Sequence, residues 1–218
     1  MRIAITGGNG FVGSHLVEAL HKQDHEITCL VRKTSDLRWI KHLKLTFIYG
    51  DLNTRKSLTD LVSNQDIIIH CAARTVGTLR QLCQANVQGT QNLIEAIKQT
   101  NPRLKQFVFV SSQEAAGKNT TDEALNESMP LKPITAYGKT KALAEEIVQT
   151  SKLPFTIFRP GPIYGPRDPD FFVLIRGIQA GFQPYYLFKS TVSMLHVDNF
   201  IKAVLLVLDN KKSLGEVY

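Results

Sequence analysis

The sequence predicts an α/β chain built on a doubly wound parallel sheet, and two observations carry that prediction. Short apolar runs rich in Val, Ile and Phe alternate with longer segments of helical period, the pattern of a sheet covered by helices on both faces. The first of these runs leads straight into a glycine-rich turn and then an amphipathic stretch, a strand–turn–helix start.

The elements follow in order. Ile3–Thr6 is the first expected strand, ended by glycines, and Val12–His21 the first helix. Strands are expected next at Glu26–Val31 and Leu45–Tyr49, a helix at Leu58–Ser63, and a strand at Ile67–Cys71. In the helix expected over Asn86–Lys98, Val87, Leu93, Ile94 and Ile97 fall on one stripe that can pack on the sheet. Gln106–Ser111 and Phe155–Arg159 complete the strands, with a helix over Ala136–Ser151 between them. From Gly161 the order loosens. Pro162, Pro166, Pro169, Gly177, Gly181 and Pro184 punctuate a segment with one helical candidate, Phe171–Gln179, in which Phe171, Phe172, Tyr185 and Tyr186 offer an apolar lining or simple packing. The chain returns through Ser193–Asp198 into an apolar helix, Asn199–Leu208, with Asp198 as its expected cap, and ends on an extended apolar start, Gly215–Tyr218.

With 218 residues and 43% hydrophobic content, the chain can bury a full core. The 26 basic and 19 acidic residues leave a net charge of +7, which suits nucleic acid, a membrane surface or a polyanionic cofactor. The lysines are scattered without a long run of like charge, so no nucleic acid partner is expected. No apolar run approaches a membrane span and no basic, leader-like segment precedes the first strand, so a cytoplasmic protein without a membrane partner is expected. Cys29, Cys71 and Cys83 show neither a C-x-x-C pair nor metal-ligand spacing, which predicts reduced thiols and no metal.

The chemistry starts at Gly7-x-x-Gly10-x-x-Gly13. Placed between a strand and a helix, this spacing lets the backbone turn tightly and bring a pyrophosphate to the positive helix end, with Asn9, Phe11 and Val12 beside it. Sites preferring the dinucleotide without a 2′-phosphate offer a carboxylate about 20 residues on. Here Val31 is followed by Arg32 and Lys33, and a guanidinium forks well onto phosphate, so NADP is expected, with NAD as the alternative.

Tyr137 and Lys141 stand one helical turn apart on one face. A phenol with a reference pKa of about 10 is a poor base at neutral pH, and lowering it by about 3 units requires about 4 kcal/mol. One ammonium at about 4 Å, with an effective dielectric of about 20, supplies roughly that, so Lys141 is expected to draw the phenol down. Ser111 and Ser112 end an apolar strand, where side chains face the ligand crevice, and Ser112 can donate to a substrate oxygen while Tyr137 transfers the proton.

TGGNGFVG at the start, Asp51-Leu52, Cys71-Ala72-Ala73, Asn86-Val87-Gln88-Gly89-Thr90, VSS, Tyr137-x-x-x-Lys141 and RPGPIYGPRD occur in this order along essentially the whole chain. Together they resemble an extended short-chain dehydrogenase/reductase of the NAD-dependent epimerase/dehydratase type. The resemblance implies a Rossmann domain over residues 1–160 and 191–210. It places Asp51 and Leu52 beside the adenine, Ala72 and Ala73 near the cofactor's ribose, and Pro160 along the nicotinamide, with Cys71, Asn86 and Ser111 also on the cofactor side. Ser112, Tyr137 and Lys141 become the catalytic set, and a homodimer through Asn86–Lys98 and Ala136–Ser151 is implied. Residues 161–190 and 211–218 become a small substrate-binding region, cut short relative to family members, which continue further.

Departures narrow the substrate. Pro162 stands where many nucleotide-sugar enzymes of the family carry an asparagine, and Ala116 replaces a tyrosine that often precedes the glycine. With Leu30-Val31-Arg32, the chain looks more like the dihydroflavonol reductase and hydroxysteroid dehydrogenase branch. The expected activity is hydride transfer between the nicotinamide and a small-molecule carbonyl or secondary alcohol. A nucleotide-sugar epimerase or dehydratase and a dinucleotide-binding protein without catalysis are the alternatives.

Overall fold

The structure, a computed structural model, describes residues 1–117, 125–182 and 193–218. Tyr185 and Tyr186 lie outside the described residues, as do residues 183–190 of the segment expected to shape the substrate region.

Six parallel strands form the main sheet: β1 (Arg2–Thr6), β2 (Glu26–Val31), β3 (Thr46–Tyr49), β4 (Ile67–His70), β5 (Gln106–Val110) and β6 (Phe155–Phe158). Their order is β3-β2-β1-β4-β5-β6, so the chain winds outward to β3, returns beside β1 as β4, and winds the other way. Register pairs Ile3 with Ile27 and Ile67, and Phe107 with Ile68 and Phe155. The reversal of winding opens a crevice beyond the carboxyl ends of β1 and β4.

The apolar strands are explained by what they separate. Ile3, Ile5, Ile67, Ile69 and Val108 face one core, closed by α1 (Phe11–His21) and α8 (Val197–Val207) through Leu16, Val17, Leu20, Phe200 and Val204. Ala4, Ile68, Phe107 and Phe109 face the other, closed by α2 (Arg55–Val62), α4 (Gly89–Thr100) and α6 (Ala136–Thr150) through Leu58, Leu61, Leu93, Ile94, Ile97, Ala144 and Val148. The strands other than β3 therefore bury both faces along most of their length, which is why alternation is missing from their sequences, whereas β3 at the sheet edge is only half-buried.

Several boundaries differ from the sequence expectation. The helix expected from Asn86 begins earlier, as α3 (Leu79–Leu82), where Thr78 and Gln81 close a capping box. It then widens into a π-helical stretch, Cys83–Gln88, before α4. A short α5 (Gln113–Ala116) follows β5, capped by the Ser112 side chain. After β7 (Ile163–Tyr164), α7 spans Pro169–Gln179, with the Asp168 side chain as cap and proline at its first turn. β8 (Leu195–His196) pairs with β7 in a second, two-stranded sheet. Asp198 does not cap α8: the His196 side chain accepts from the Asp198 N–H, because Val197 is buried and draws the helix start two residues forward. Gly215–Tyr218 runs along the open edge of β6, where Ile157 N donates to Glu216 O (3.0 Å) and Tyr218 N to Ile157 O (2.9 Å). The free backbone of an edge strand takes up an extended apolar segment in this way.

Candidate active site

The crevice is a cavity of about 1310 Å³ at the carboxyl end of the sheet. Gly7, Gly10, Phe11, Val12 and Gly13 form one wall, Cys71 and Ala73 the floor, and Ser111, Ser112, Tyr137 and Pro160 the opposite side. The turn is as tight as its glycines demand. Gly7 has φ +73° and a Cβ there would lie 2.7 Å from Ala72 N, while a Cβ on Gly13 would lie 2.0 Å from Gly7 O. At Gly10 the only neighbour is Gly7 O at 3.4 Å, so the backbone stands open to the cavity. Helix α1 starts there with no side-chain cap and no acid in its first turn. Its leading N–H groups and positive end are what a pyrophosphate needs, so these residues fit a dinucleotide.

The other residues expected on the cofactor side lie outside this wall. Asn9 Nδ2 donates to Asp36 O (3.5 Å), tying the glycine turn to the loop after β2. In that loop Arg32 N donates to Ser35 Oγ (3.0 Å), and the exposed Arg32 and Lys33 form no salt bridge among the described residues. Asp51 Oδ1 accepts from Asn53 N (2.8 Å) and Thr54 Oγ1 (3.0 Å), and Leu52 packs against Gly89. Ala72 N donates to Thr6 Oγ1 (3.3 Å). Asn86 is buried; its amide accepts from Arg74 N (2.8 Å) and donates to Arg74 O (2.9 Å) and Thr140 Oγ1 (2.9 Å), so it braces the loop after β4 against α6.

Tyr137 and Ser112 meet on that opposite side of the cavity. Thr135 caps α6 by accepting from Gly138 N (2.9 Å), which sets Tyr137 in the first turn. Gly138 lets α6 press on α5, since a Cβ there would be 2.3 Å from Glu114 O. Lys141 is fully buried: its Nζ donates to Val110 O (2.8 Å) and sits 4.1 Å from the Phe109 ring centre. Burial lowers it to about 7, opposed by the nearby Glu145 and Cys71.

The expected effect of Lys141 on Tyr137 is overturned. The phenol is pushed up to about 12, first by burial and then by the Glu114 carboxylate, with a hydrogen bond to Ser112 pulling the other way. The lysine is spent on Val110 and Phe109 instead. Ser111 lines the cavity, but its hydroxyl donates to the buried Glu145 rather than toward a ligand. Glu114, Glu145 and Arg159 were absent from the sequence expectation. The spacing of Glu145, one turn beyond Lys141 on the same helix face, was the available signal.

The three thiols are free, burial pushes Cys29 and Cys71 up to about 12, and no group of three or more metal-ligating side chains occurs among the described residues. Nor is any described helix long and apolar enough to cross a membrane.

Known proteins match this arrangement. The model of the NAD dependent epimerase/dehydratase family matches residues 3–218. The chain is 30% identical to dTDP-D-glucose 4,6-dehydratase of Dictyostelium discoideum, over all of this chain and 57% of that protein. It is 31% identical to 4-hydroxy-2-methyl-3-oxo-4-farnesyl-3,4-dihydroquinoline-1-oxide ketoreductase of Stigmatella aurantiaca, over all of this chain and 67% of that protein. The crystal structure of UDP-glucuronic acid 4-epimerase from Bacillus cereus, in complex with UDP-glucuronic acid and NAD, superposes with a TM-score of 0.87 at 27% identity, covering all of this chain and 76% of that one. The glycine turn, the sheet order and the family match agree: the chain belongs to the NAD dependent epimerase/dehydratase family, whose relatives here are dehydratases, epimerases and reductases.

Proposed function

We propose that the chain transfers hydride between a nicotinamide dinucleotide and a carbonyl or secondary alcohol of a small molecule, with Tyr137 as acid/base and Ser112 as oxygen-binding donor. One observation supports this above the rest: Ser112 and Tyr137 line the same cavity as the uncapped start of α1. Bound there, the nicotinamide supplies or takes the hydride. The residues do the proton work. Burial and the Glu114 carboxylate push Tyr137 up, so at neutral pH it carries the proton that a carbonyl oxygen would receive in the reduction direction. Ser112 fixes that oxygen, and Lys141 holds the end of β5 under both.

Arg32 and Lys33, with Val31 rather than a carboxylate at the end of β2, support NADP, whereas the Bacillus cereus structure carries NAD. Fluorescence titration with NADPH and NADH decides between them: an Arg32→Ala variant should lose affinity for NADPH by about tenfold and leave NADH unchanged, as one charge-assisted phosphate contact implies. For the substrate, the epimerase and dehydratase relatives favour a second reading, a nucleotide sugar processed without net redox change. Pro162, in place of the usual asparagine, supports the first. Net NADPH consumption with a carbonyl panel, against conversion of UDP-glucuronic acid without cofactor change, separates them. In either case Tyr137→Phe should lower turnover by about 100-fold or more while dinucleotide affinity stays within about twofold. A fully active Tyr137→Phe protein would remove the basis of both. We extend the proposal to a substrate side formed by the residues after Gly161, of which Ile163, Asp168, Asp170 and Phe171 line the cavity, and to a homodimer through α4 and α6, where Leu143 is exposed.

A further inference from the structure

Glu145 and Arg159 form an ion pair within the protein: Arg159 Nη2 donates to Glu145 Oε2 at 2.7 Å and Nε at 3.0 Å, with the carboxylate fully buried and the guanidinium nearly so. Buried pairs of this kind are weak contributors to stability because desolvation offsets their attraction. This one lies directly behind the candidate catalytic residues. We infer that Glu145, braced by Arg159, is a positioning residue that aims Ser112 and holds Lys141, resting on the catalytic roles proposed above.

The geometry is a ladder between the end of β5 and one face of α6. Tyr137, Lys141 and Glu145 are spaced by four residues and share that face. They meet three consecutive residues of the strand end: Lys141 Nζ donates to Val110 O, Ser111 Oγ donates to Glu145 Oε1, and Ser112 bonds Tyr137. Ser112 is extended, with φ −158° and ψ 149°, so its side chain points opposite to that of Ser111. With the Ser111 hydroxyl pinned on Glu145, the strand end is fixed at the residue before Ser112, whose own hydroxyl accepts from Glu114 N (3.2 Å) and bonds Tyr137. Arg159, at the end of β6, neutralises Glu145 and also donates to Glu127 O (3.2 Å), which joins a third segment to the ladder. The groups around Lys141 are Glu145 and Tyr137 on its own helix, His70 and Cys71 at the end of β4, and the Val110 carbonyl and Phe109 ring of β5.

The test needs no substrate. In protein labelled with 13C at lysine, the Lys141 titration is followed by NMR in the wild type, in Glu145→Gln and in Arg159→Gln. Removing the anion while leaving the guanidinium should lower the Lys141 midpoint by about one unit, a tenfold loss of proton affinity. Removing the guanidinium while leaving the anion should raise it. If both midpoints rise toward the ordinary lysine value, the pair only seals the interior, and if neither moves it does not act on Lys141; either result overturns the proposal. Should those variants fail to fold, Ser111→Ala decides. Its Tyr137 ring-carbon shift should match that of Ser112→Ala, with Ser111→Thr restoring the wild-type value, whereas a wild-type shift in Ser111→Ala rejects the aiming role. Because none of these measurements requires turnover, an active Tyr137→Phe variant would reject the catalytic roles without touching this result.

Discussion

His70 shows how one side chain can join the two halves of the sheet without carrying charge. Its Nδ1 lies 2.6 Å from Thr6 Oγ1 and its Nε2 3.0 Å from Thr90 Oγ1. Thr90 Oγ1 donates to Asn86 O (2.6 Å), so it accepts from Nε2–H, and Nδ1 accepts from Thr6, which in turn accepts from Ala72 N. Every hydrogen in this chain has one place to go. A proton on Nδ1 would face the Thr6 hydroxyl, and burial, followed by the Lys141 charge, lowers His70 to about 3. Since the unfolded chain takes up a proton near the ordinary value of 6.5 and the folded one does not, stability is complete above about 6.5 and is lost as the pH falls toward 3. The loss approaches a tenfold change in the folding constant per pH unit in that window. Urea unfolding between pH 7 and 4 should show this slope, and His70→Gln should flatten it. Equal slopes in the two proteins would assign acid sensitivity to other groups.

Among the elements, the glycine turn separates folding from binding. A Cβ on Gly13 would strike Gly7 O at 2.0 Å and Gly7 C at 2.8 Å, both backbone atoms that cannot swing aside. Overpacking of this kind costs about 1–3 kcal/mol, which lowers Tm by roughly 3–10 °C in a chain of this size. Gly10 has room for a methyl group and an extended φ of −79°, so Gly10→Ala should keep its Tm within about 2 °C while the methyl at the mouth of α1 weakens dinucleotide binding by about tenfold. Thermal unfolding and NADPH titration of the two variants check this, and a Gly13→Ala protein as stable as Gly10→Ala would contradict it. The turn was legible because glycine spacing records a local steric demand, and the strands because burial on both faces leaves unbroken runs such as Ile67-Ile68-Ile69. That Tyr137 and Lys141 share one face of α6 was legible for the same local reason, one turn of one helix. What stayed hidden depends on contacts between distant segments. The sign of the Tyr137 shift is set by depth and by Glu114 on another element, the Glu145–Arg159 pair by the approach of β6 to α6, and the place of Val217 by the edge that β6 leaves open. The π-helical stretch at Asn86 follows from the loop and helix that Asn86 has to reach at once.

Across the whole molecule, the Arg167 guanidinium connects the loop that enters α7 to α1 and to the segment after β2. Arg167, in the loop entering α7, donates to Ser14 Oγ (3.1 Å) and Glu18 Oε1 (2.7 Å) on α1, and its Cζ lies 4.8 Å from the centre of the Trp39 ring in the segment after β2. Pro166 O is 2.9 Å from His15 Nε2, which makes a second tie between the same loop and α1. The loop continues directly into Asp168, Asp170 and Phe171, which line the cavity. The ion pair is partly exposed, so it contributes up to about 1 kcal/mol, and the stacking adds about 0.5–1 kcal/mol. Arg167→Ala should therefore lower Tm by roughly 2–6 °C. Its larger effect should be on geometry. Freed from α1, the entry to α7 should raise the KM for the substrate about three- to tenfold while kcat and dinucleotide affinity stay within about twofold, the pattern of lost ground-state positioning. Arg167→Lys, which keeps the charge but not the planar fork, should fall between. Trp39 is the only tryptophan in the chain, so its emission reports on this contact directly and should shift in Arg167→Ala before any substrate is added. An unchanged emission spectrum together with an unchanged KM would mean that the two sides of the cavity are held together by the sheet alone.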